Sequence, residues 1–174
     1  MLLFATYCYA ATVEKVQAMT GFKGNNYLGT WYEIARLPLS FEKKCMAPIT
    51  ANYISDSGKI NVTNTCWQTD GEYNVANGVA SFNAESTTAK LKVTFLPGWI
   101  SWLGFGKSDY WVLYTDYTNI ALVGTPDRKY LWILARTEQP EAATVTQMID
   151  FAQKLNYHTE SLIYNYPQYQ PVQN

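Results

Sequence analysis

The sequence predicts an all-β domain, in which an eight-stranded antiparallel up-and-down barrel is followed by a C-terminal α-helix. Short runs rich in Tyr, Val, Ile, Thr and Trp recur from Tyr27 onward and are separated by turn residues. After Arg136 the apolar residues change to a helical spacing. The length of 174 residues suits one domain, and a barrel of this kind uses nearly all of it.

Eight runs are predicted as strands, which is enough to close a barrel around one small ligand. Asp56-Ser57-Gly58 is predicted as the tight turn between the second and third runs, because Gly tolerates the positive φ that such turns need. The predicted runs are residues 29–37, 49–54, 60–66, 78–84, 89–95, 110–115, 120–124 and 129–136.

A helix is predicted to begin at Pro140-Glu141, since proline is favoured in the first turn. Its apolar residues lie on one face, which is expected to pack on the barrel. They are Val145, Met148, Ile149, Ala152 and Leu155. Residues 162–164 are predicted as a last short strand and residues 167–174 as a polar tail.

Composition argues against several classes of function. The net charge of −1, with scattered Lys and Arg, makes nucleic acids poor partners. His158 is the only histidine and follows the helix, and no Gly-x-Ser-x-Gly occurs, so no catalytic residue is predicted. Gly106-Lys107-Ser108 resembles the end of a phosphate loop, but Ser101 stands where that motif needs Gly. No cofactor or metal site is predicted, since Cys-x-x-Cys and His pairs are missing.

Residues 1–12 are predicted as the remnant of a secretory signal peptide, because apolar residues 2–5 are followed by Ala10 and Ala11. Acylation of Cys8 is an alternative, although Tyr7 precedes it where that signal prefers a small residue. The expectation is an exported protein, in the periplasm or outer membrane of a bacterium or else secreted, with residues 13–174 forming one domain. No apolar run reaches the roughly twenty residues of a membrane-spanning helix.

The stretch Tyr27-Leu28-Gly29-Thr30-Trp31-Tyr32-Glu33-Ile34-Ala35-Arg36 resembles the first signature of the lipocalin family, in the form found in its bacterial outer-membrane and apolipoprotein D branch. Two further signatures follow in order: Thr115-Asp116-Tyr117 after the sixth run, and Arg136 at the end of the eighth. The resemblance covers about residues 24–166. It implies a barrel that binds small apolar molecules.

The resemblance also implies which end of the barrel is closed. In the family the signature Trp fills the floor and the Arg stacks across it, so Gly29, Trp31, Thr115, Asp116, Tyr117 and Arg136 are expected to be structural. Such a cation–π contact contributes about 1–2 kcal/mol where it is desolvated. The mouth is then expected at the opposite end, in loops 38–48, 67–75, 97–108 and 126–128.

Two cysteines are expected to pair. Cys45 precedes the second run and Cys66 ends the third, so the hairpin brings both to the open rim. A disulfide there fits an exported protein. Two free buried thiols are the alternative.

The predicted cavity wall follows from strand alternation, which places Glu33 and Ala35 inward with Trp31. Glu33 is expected to pair with an inward Tyr or with Arg136, or else to contact ligand or water. The resemblance sets the phase of the other runs. The predicted wall residues are Glu33, Ala51, Tyr53, Val62, Asn64, Phe82, Leu91, Val93, Phe95, Tyr110, Val112, Tyr114, Tyr130 and Trp132.

This apolar wall favours a fatty acid, a lysophospholipid or a similar elongated molecule over a sugar or nucleotide. A closed core without a cavity is the alternative. Two other functions stay open: an enzyme related to lipocalins that uses a cavity cysteine, and a barrel that only displays loops.

The predicted mouth loop contains five large apolar residues, which loops rarely expose without a use. We expect it to contact a membrane or a partner. A lid over the mouth and a homodimer contact are alternatives. The residues are Trp99, Ile100, Trp102, Leu103 and Phe105.

Overall fold

Among the residues that the structure describes, nine antiparallel strands form one sheet, and eight of them close into a barrel. The structure is a computed structural model that describes residues 15–82, 88–95 and 108–170. The strands are β1 (Gly29–Arg36), β2 (Cys45–Asp56), β3 (Lys59–Gln68), β4 (Tyr73–Phe82), β5 (Lys90–Phe95), β6 (Ser108–Thr115), β7 (Ile120–Gly124), β8 (Leu131–Ala135) and β9 (Ile163–Tyr164). The helices are α1 (Gly24–Tyr27) and α2 (Ala142–Lys154), with 3₁₀ turns at Ser40–Glu42, Thr159–Ser161 and Pro167–Tyr169.

Closure of the barrel depends on β1. This strand pairs with β8 on one side and with β2 on the other, where Trp31 lies opposite Ala51. The short strand β9 pairs with Ala35 and Arg36 on the same side of β1 as β2, beyond the β2 contact, which ends at Tyr32. The predicted fold class is therefore confirmed.

Buried side chains form two clusters on opposite faces of the sheet. One fills the lower barrel and includes Trp31, Tyr53, Val62, Leu91 and Val112. The other lies between the barrel and α2, whose Val145, Met148 and Ala152 are buried as their helical spacing predicts. The barrel wall thus separates an interior space from a helix-covered outer layer.

A bulge in β1 corrects one predicted orientation. Glu33 pairs with Leu134 and Ala35 with Ile133, so Ile34 is an extra residue without its own partner. Both Ile34 and Ala35 therefore face the α2 layer, and Arg36 turns inward instead. The prediction that Ala35 faces the interior was wrong, because simple alternation ignores the bulge.

A second bulge, in β6, corrects the placement of Tyr114. Val112 pairs with Val123 and Tyr114 with Leu122, which leaves Leu113 as the extra residue. Tyr114 consequently lies on the outer face, 39% exposed, with its ring edge against Phe151 of α2. Its predicted place on the inner wall was wrong for the same physical reason.

Several boundaries differ from the predicted ones. Strand β2 begins at Cys45 and β4 at Tyr73, so the mouth loops 38–48 and 67–75 are shorter than predicted. Met46 pairs with Trp67 in a region that was predicted as loop, and the rings of Trp67 and Tyr73 lie 5.0 Å apart. The predicted polar tail begins as an ordered turn, in which the Tyr169 hydroxyl donates a hydrogen bond to the Pro140 carbonyl.

Of the helices in the described ranges, neither is both long and apolar enough to cross a membrane.

Candidate functional site

A cavity of about 100 Å³ lies inside the barrel, between the buried lower cluster and the mouth. Eight residues that the sequence predicts as wall surround it, together with five residues that were not predicted. The lining comprises Glu33, Glu42, Ile49, Thr50, Ala51, Tyr53, Asn64, Val93, Asp109, Tyr110, Tyr130, Trp132 and Leu134.

Three other predicted wall residues lie deeper. Val62, Leu91 and Val112 belong to the buried interior cluster and pack around the base of the cavity rather than lining it. The side chains of Phe82 and Phe95 lie outside the described part of the structure. These three positions of the predicted wall are therefore closed core, which was the alternative considered for each position.

The five residues that the sequence reasoning missed fall into two kinds. Ile49 and Leu134 are two positions from the predicted Ala51 and Trp132, so strand alternation could have found them. Thr50, Glu42 and Asp109 carried no such signal. Glu42 lies in the 3₁₀ turn after β1, and only the path of that turn brings its carboxylate to the cavity.

Three tyrosine hydroxyls meet at one side of the cavity. The Tyr110 hydroxyl lies 2.7 Å from that of Tyr53 and 3.0 Å from that of Tyr27. Burial raises the pKa of all three phenols, so each keeps its proton at neutral pH. This tyrosine cluster provides polar, uncharged groups in an otherwise apolar wall.

A buried ionic cluster borders the cavity on the mouth side. Arg36 Nη1 donates to Glu33 Oε1 at 2.9 Å, and Arg36 Nε lies 2.9 Å from Glu42 Oε2. The side chains of Arg36, Glu33 and Glu42 are only 4%, 6% and 11% exposed, so little water screens them. Burial raises the pKa of Glu42, as does the negative charge of Glu33, while Arg36 lowers it less.

The C-terminal segment completes this cluster. The Asn165 amide Nδ2 donates to Glu33 Oε1 at 2.9 Å and to the Glu33 carbonyl at 2.8 Å, while its Oδ1 accepts from Arg36 Nη1. The predicted partners of Glu33, an inward Tyr or Arg136, were therefore wrong. The bulge in β1 supplies Arg36 in their place.

The closed end brings the predicted signature residues together. The guanidinium of Arg136 stacks on the ring of Trp31, which is fully buried and donates from Nε1 to the Tyr27 carbonyl. Gly29 has a φ of +95°, and a Cβ there would contact Arg136 Nη1 at 3.4 Å. These contacts are structural, since none of these residues lines the cavity.

The turn after β6 has its own fixed geometry. The Asp116 carboxylate accepts backbone hydrogen bonds from Thr118, Asn119 and Ile120, and the Thr115 hydroxyl accepts from the backbone N–H of Tyr117. Partial burial raises the pKa of Asp116, but these hydrogen bonds outweigh it and hold the pKa below its ordinary value. The motif thus shapes the turn against which Arg136 packs.

Cys45 and Cys66 form a disulfide at the open end, with their Cα atoms 5.5 Å apart. The predicted pairing is confirmed. Because both sulfurs are bonded, neither is a thiol nucleophile, which removes these two residues from the cysteine-enzyme alternative.

Two predictions fall outside the described residues. The apolar mouth segment with Trp99, Ile100, Trp102, Leu103 and Phe105 is one, and Cys8 with the predicted signal remnant is the other. Within residues 15–82, 88–95 and 108–170, no group of three or more His, Cys, Asp or Glu side chains is arranged to hold a metal ion.

Comparison with known proteins agrees with the signatures. Residues 23–167 match the family model described as a lipocalin-like domain. The chain is 35% identical over 153 residues to the outer membrane lipoprotein Blc of Vibrio cholerae, covering 87% of this chain and 86% of that protein. It is also 35% identical over 153 residues to temperature-induced lipocalin-1 of Arabidopsis thaliana, covering 86% and 81%.

A similar level of identity extends to an animal protein, apolipoprotein D of Bos taurus, at 36% over 149 residues covering 81% of this chain and 75% of that protein. Among solved structures, insecticyanin of Manduca sexta shares the fold with a TM-score of 0.70 and 22% identity, over 91% of this chain and 87% of that one. The signatures at the closed end, the closed barrel and these matches all agree, and the chain belongs to the lipocalin family.

Proposed function

We propose that this protein binds and carries or stores a lipid-like apolar molecule in its barrel, of the fatty acid or lysophospholipid class. The observation that carries this proposal is the cavity, whose wall is formed largely by apolar and aromatic side chains such as Ile49, Val93 and Trp132. The floor beneath it is closed by Trp31, so a ligand enters from the mouth.

The size of the cavity limits how much ligand it encloses. About 100 Å³ is smaller than the roughly 300–1,000 Å³ of typical small-molecule sites. The cavity therefore encloses only part of a long chain, unless inner side chains are displaced. Each methylene that is buried contributes about 0.8 kcal/mol before ordering costs, so even partial enclosure of a chain supports binding.

A cavity-filling variant tests the proposal. Ala51 lines the cavity, whereas Ile54 on the same strand is 58% exposed, so Ala51→Trp and Ile54→Trp form a matched pair. We expect Ala51→Trp to lower the affinity for a neutral fluorescent apolar dye at least about tenfold, and to lower by a similar factor the affinity of lipids measured by displacing that dye. Ile54→Trp should bind the dye and the lipids like the wild type. If wild-type protein bound neither dye nor lipid, the barrel would instead serve to display its loops.

We also infer that the protein catalyses nothing. His158 is exposed and its ring nitrogen lies 2.9 Å from Glu160, away from the cavity lining. The cavity carboxylates Glu33 and Glu42 are engaged with Arg36. Thiol titration of the native protein tests this inference, since a free and reactive Cys45 or Cys66 would favour the cysteine-enzyme alternative.

We further propose that the protein is exported and that its open rim contacts a membrane surface. The Vibrio cholerae relative is named an outer membrane lipoprotein. In this chain, four large apolar residues at the mouth ends of β2, β3 and β4 are 41–54% exposed, and Trp and Tyr suit a bilayer interface. This rim patch consists of Met46, Trp67, Tyr73 and Val75.

Liposome flotation tests membrane contact. We expect Trp67→Ser/Tyr73→Ser to reduce flotation, and Trp99→Ser/Trp102→Ser/Phe105→Ser to reduce it through the mouth segment. Ile54→Ser is the control, because Ile54 is equally exposed but lies near the opposite end of β2. Unchanged flotation of both multiple variants would remove the proposal.

A further inference from the structure

In the described part of the chain, the charged side chains that line the cavity are all carboxylates. Glu33, Glu42 and Asp109 line it, whereas none of the lining residues is Lys or Arg. Asp109 is paired with Lys92, whose side chain is half exposed. An anionic ligand group in the cavity would therefore face carboxylates at low dielectric without a cation of its own.

Arg36 is a buried basic side chain next to this wall, and it is already engaged. Nη1 donates to Glu33 and Asn165, Nη2 donates to the Glu42 carbonyl at 3.0 Å, and Nε lies beside the Glu42 carboxylate. Recruiting this guanidinium to a ligand carboxylate would break a buried ion pair. Such a break is costly, because it leaves a buried charge unpaired.

The wall also contains an acceptor without a partner. The Asn64 Oδ1 atom is buried, lines the cavity and has no hydrogen bond to the protein. Leaving a buried acceptor unsatisfied costs about 1–3 kcal/mol. A ligand group that donates a hydrogen bond at this point would recover that cost.

The tyrosine cluster supplies the complementary donor. Three phenol oxygens carry three protons, and the two contacts among them use two. One proton stays available to an acceptor. Asn64 and Tyr53 lie on neighbouring strands, two positions apart in the β2–β3 register, so the acceptor and the donor are close together on one wall.

We propose, building on the lipid binding proposed above, that the cavity prefers single-chain lipids whose buried end is an uncharged hydroxyl, such as long-chain alcohols, over fatty acids that bury an ionised carboxylate. A hydroxyl both donates and accepts, so it satisfies Asn64 Oδ1 and the tyrosine cluster together. A carboxylate offers no proton to Asn64 and adds a charge beside Glu33 and Glu42.

Three ligands of equal chain length test the selection: 1-decanol, decanoate and decylammonium, each displacing a neutral fluorescent apolar dye at about pH 8, where the carboxylic acid is ionised. We expect 1-decanol to bind about tenfold or more tightly than decanoate. Decanoate binding as well as 1-decanol would overturn the proposal but leave lipid binding intact. Decylammonium binding most tightly would also overturn it, because the carboxylates would then be recognising a cation. If none of the three displaced the dye, both proposals would fail.

A pair of variants locates the acceptor. Asn64→Leu should weaken 1-decanol binding about fivefold or more and leave decanoate unchanged. Asn61→Leu is the control, since Asn61 is exposed on the same strand. Asn64→Thr provides a smaller polar variant if the leucine variant does not fold, and it should retain part of the preference. Unaltered 1-decanol affinity in a folded Asn64 variant would contradict the assignment.

Discussion

The guanidinium carbon of Arg136 lies 3.7 Å from the centroid of the Trp31 ring, and the three guanidinium nitrogens donate to the carbonyls of Tyr117, Thr30 and Asn26. One side chain thus joins the first strand, the segment before it and the turn after β6. Lysine would keep the charge over the ring but lose the planar fork that reaches three carbonyls.

Arg136→Lys should therefore lower the free energy of unfolding by about 1–3 kcal/mol, as measured by urea denaturation. Ligand affinity should stay within about twofold of wild type, since Arg136 does not line the cavity. Weaker ligand binding with unchanged stability would instead place Arg136 in the binding site.

The disulfide closes a loop with a sequence separation of 21 residues. The free energy of unfolding of Cys45→Ser/Cys66→Ser, measured by urea denaturation, should be about 3 kcal/mol lower than that of the wild type, because the unfolded chain is no longer constrained. A reducing agent should destabilise the wild type by a similar amount and leave the double variant unaffected. Intact mass measurement showing two free thiols in the native protein would contradict the pairing.

Stability should depend on pH through Glu42. Burial raises its pKa in the folded protein, so the folded state holds this proton more tightly than the unfolded chain does. The stabilisation that this proton gives the folded state is present in full below the ordinary pKa of Glu, about 4.3. It is lost as the pH rises through the raised pKa of Glu42 in the folded protein.

Glu42→Gln is uncharged at every pH and should remove this decline. We expect the melting temperature of the wild type to fall relative to that of Glu42→Gln by about 2–4 °C or more between pH 5 and pH 8. Glu72→Gln, in the exposed β3–β4 turn, is the control. Parallel pH profiles for wild type and Glu42→Gln would exclude Glu42 as the source.

Tyr110 and Tyr114 lie on opposite faces of β6 and provide a matched pair. Tyr110→Phe removes the hydroxyl that contacts both Tyr27 and Tyr53. It should lower the free energy of unfolding by about 1–3 kcal/mol. Tyr114→Phe keeps the ring against Phe151 and should be near neutral. Only Tyr110→Phe should alter dye affinity, and an equal effect of Tyr114→Phe would mean that β6 has no bulge at Leu113.

The sequence predicted best those elements whose structure is determined by residues close together along the chain. Strand β7 was predicted at residues 120–124 and is observed at Ile120–Gly124, because its turn residues and its apolar run are adjacent. The closed end followed from the signatures. Ala35 and Tyr114 were misplaced because a single bulged residue reverses the face of everything after it, and neither bulge has a clear sequence mark.

The ionic cluster of Arg36, Glu33 and Glu42 could not be predicted from the sequence for a different reason. Glu33 was recognised as an unusual inward carboxylate, but its partners come from a bulge, a 3₁₀ turn and the C-terminal segment. Arg36 belongs to the first signature, but simple alternation with Glu33 and Ala35 inward would place it on the outer face. Contacts of this kind depend on where separate segments meet, and that is a property of the tertiary fold.

The contact between Asn165 and Glu33 has a consequence for how the protein is made. A chain is synthesised from its N-terminus, and all eight barrel strands have been translated once residue Ala135 is added. The amide of Asn165, which satisfies both the Glu33 side chain and its carbonyl, is added only afterwards. A nascent barrel thus contains a Glu33 that lacks both of these hydrogen bonds until the segment that follows β9 docks against β1.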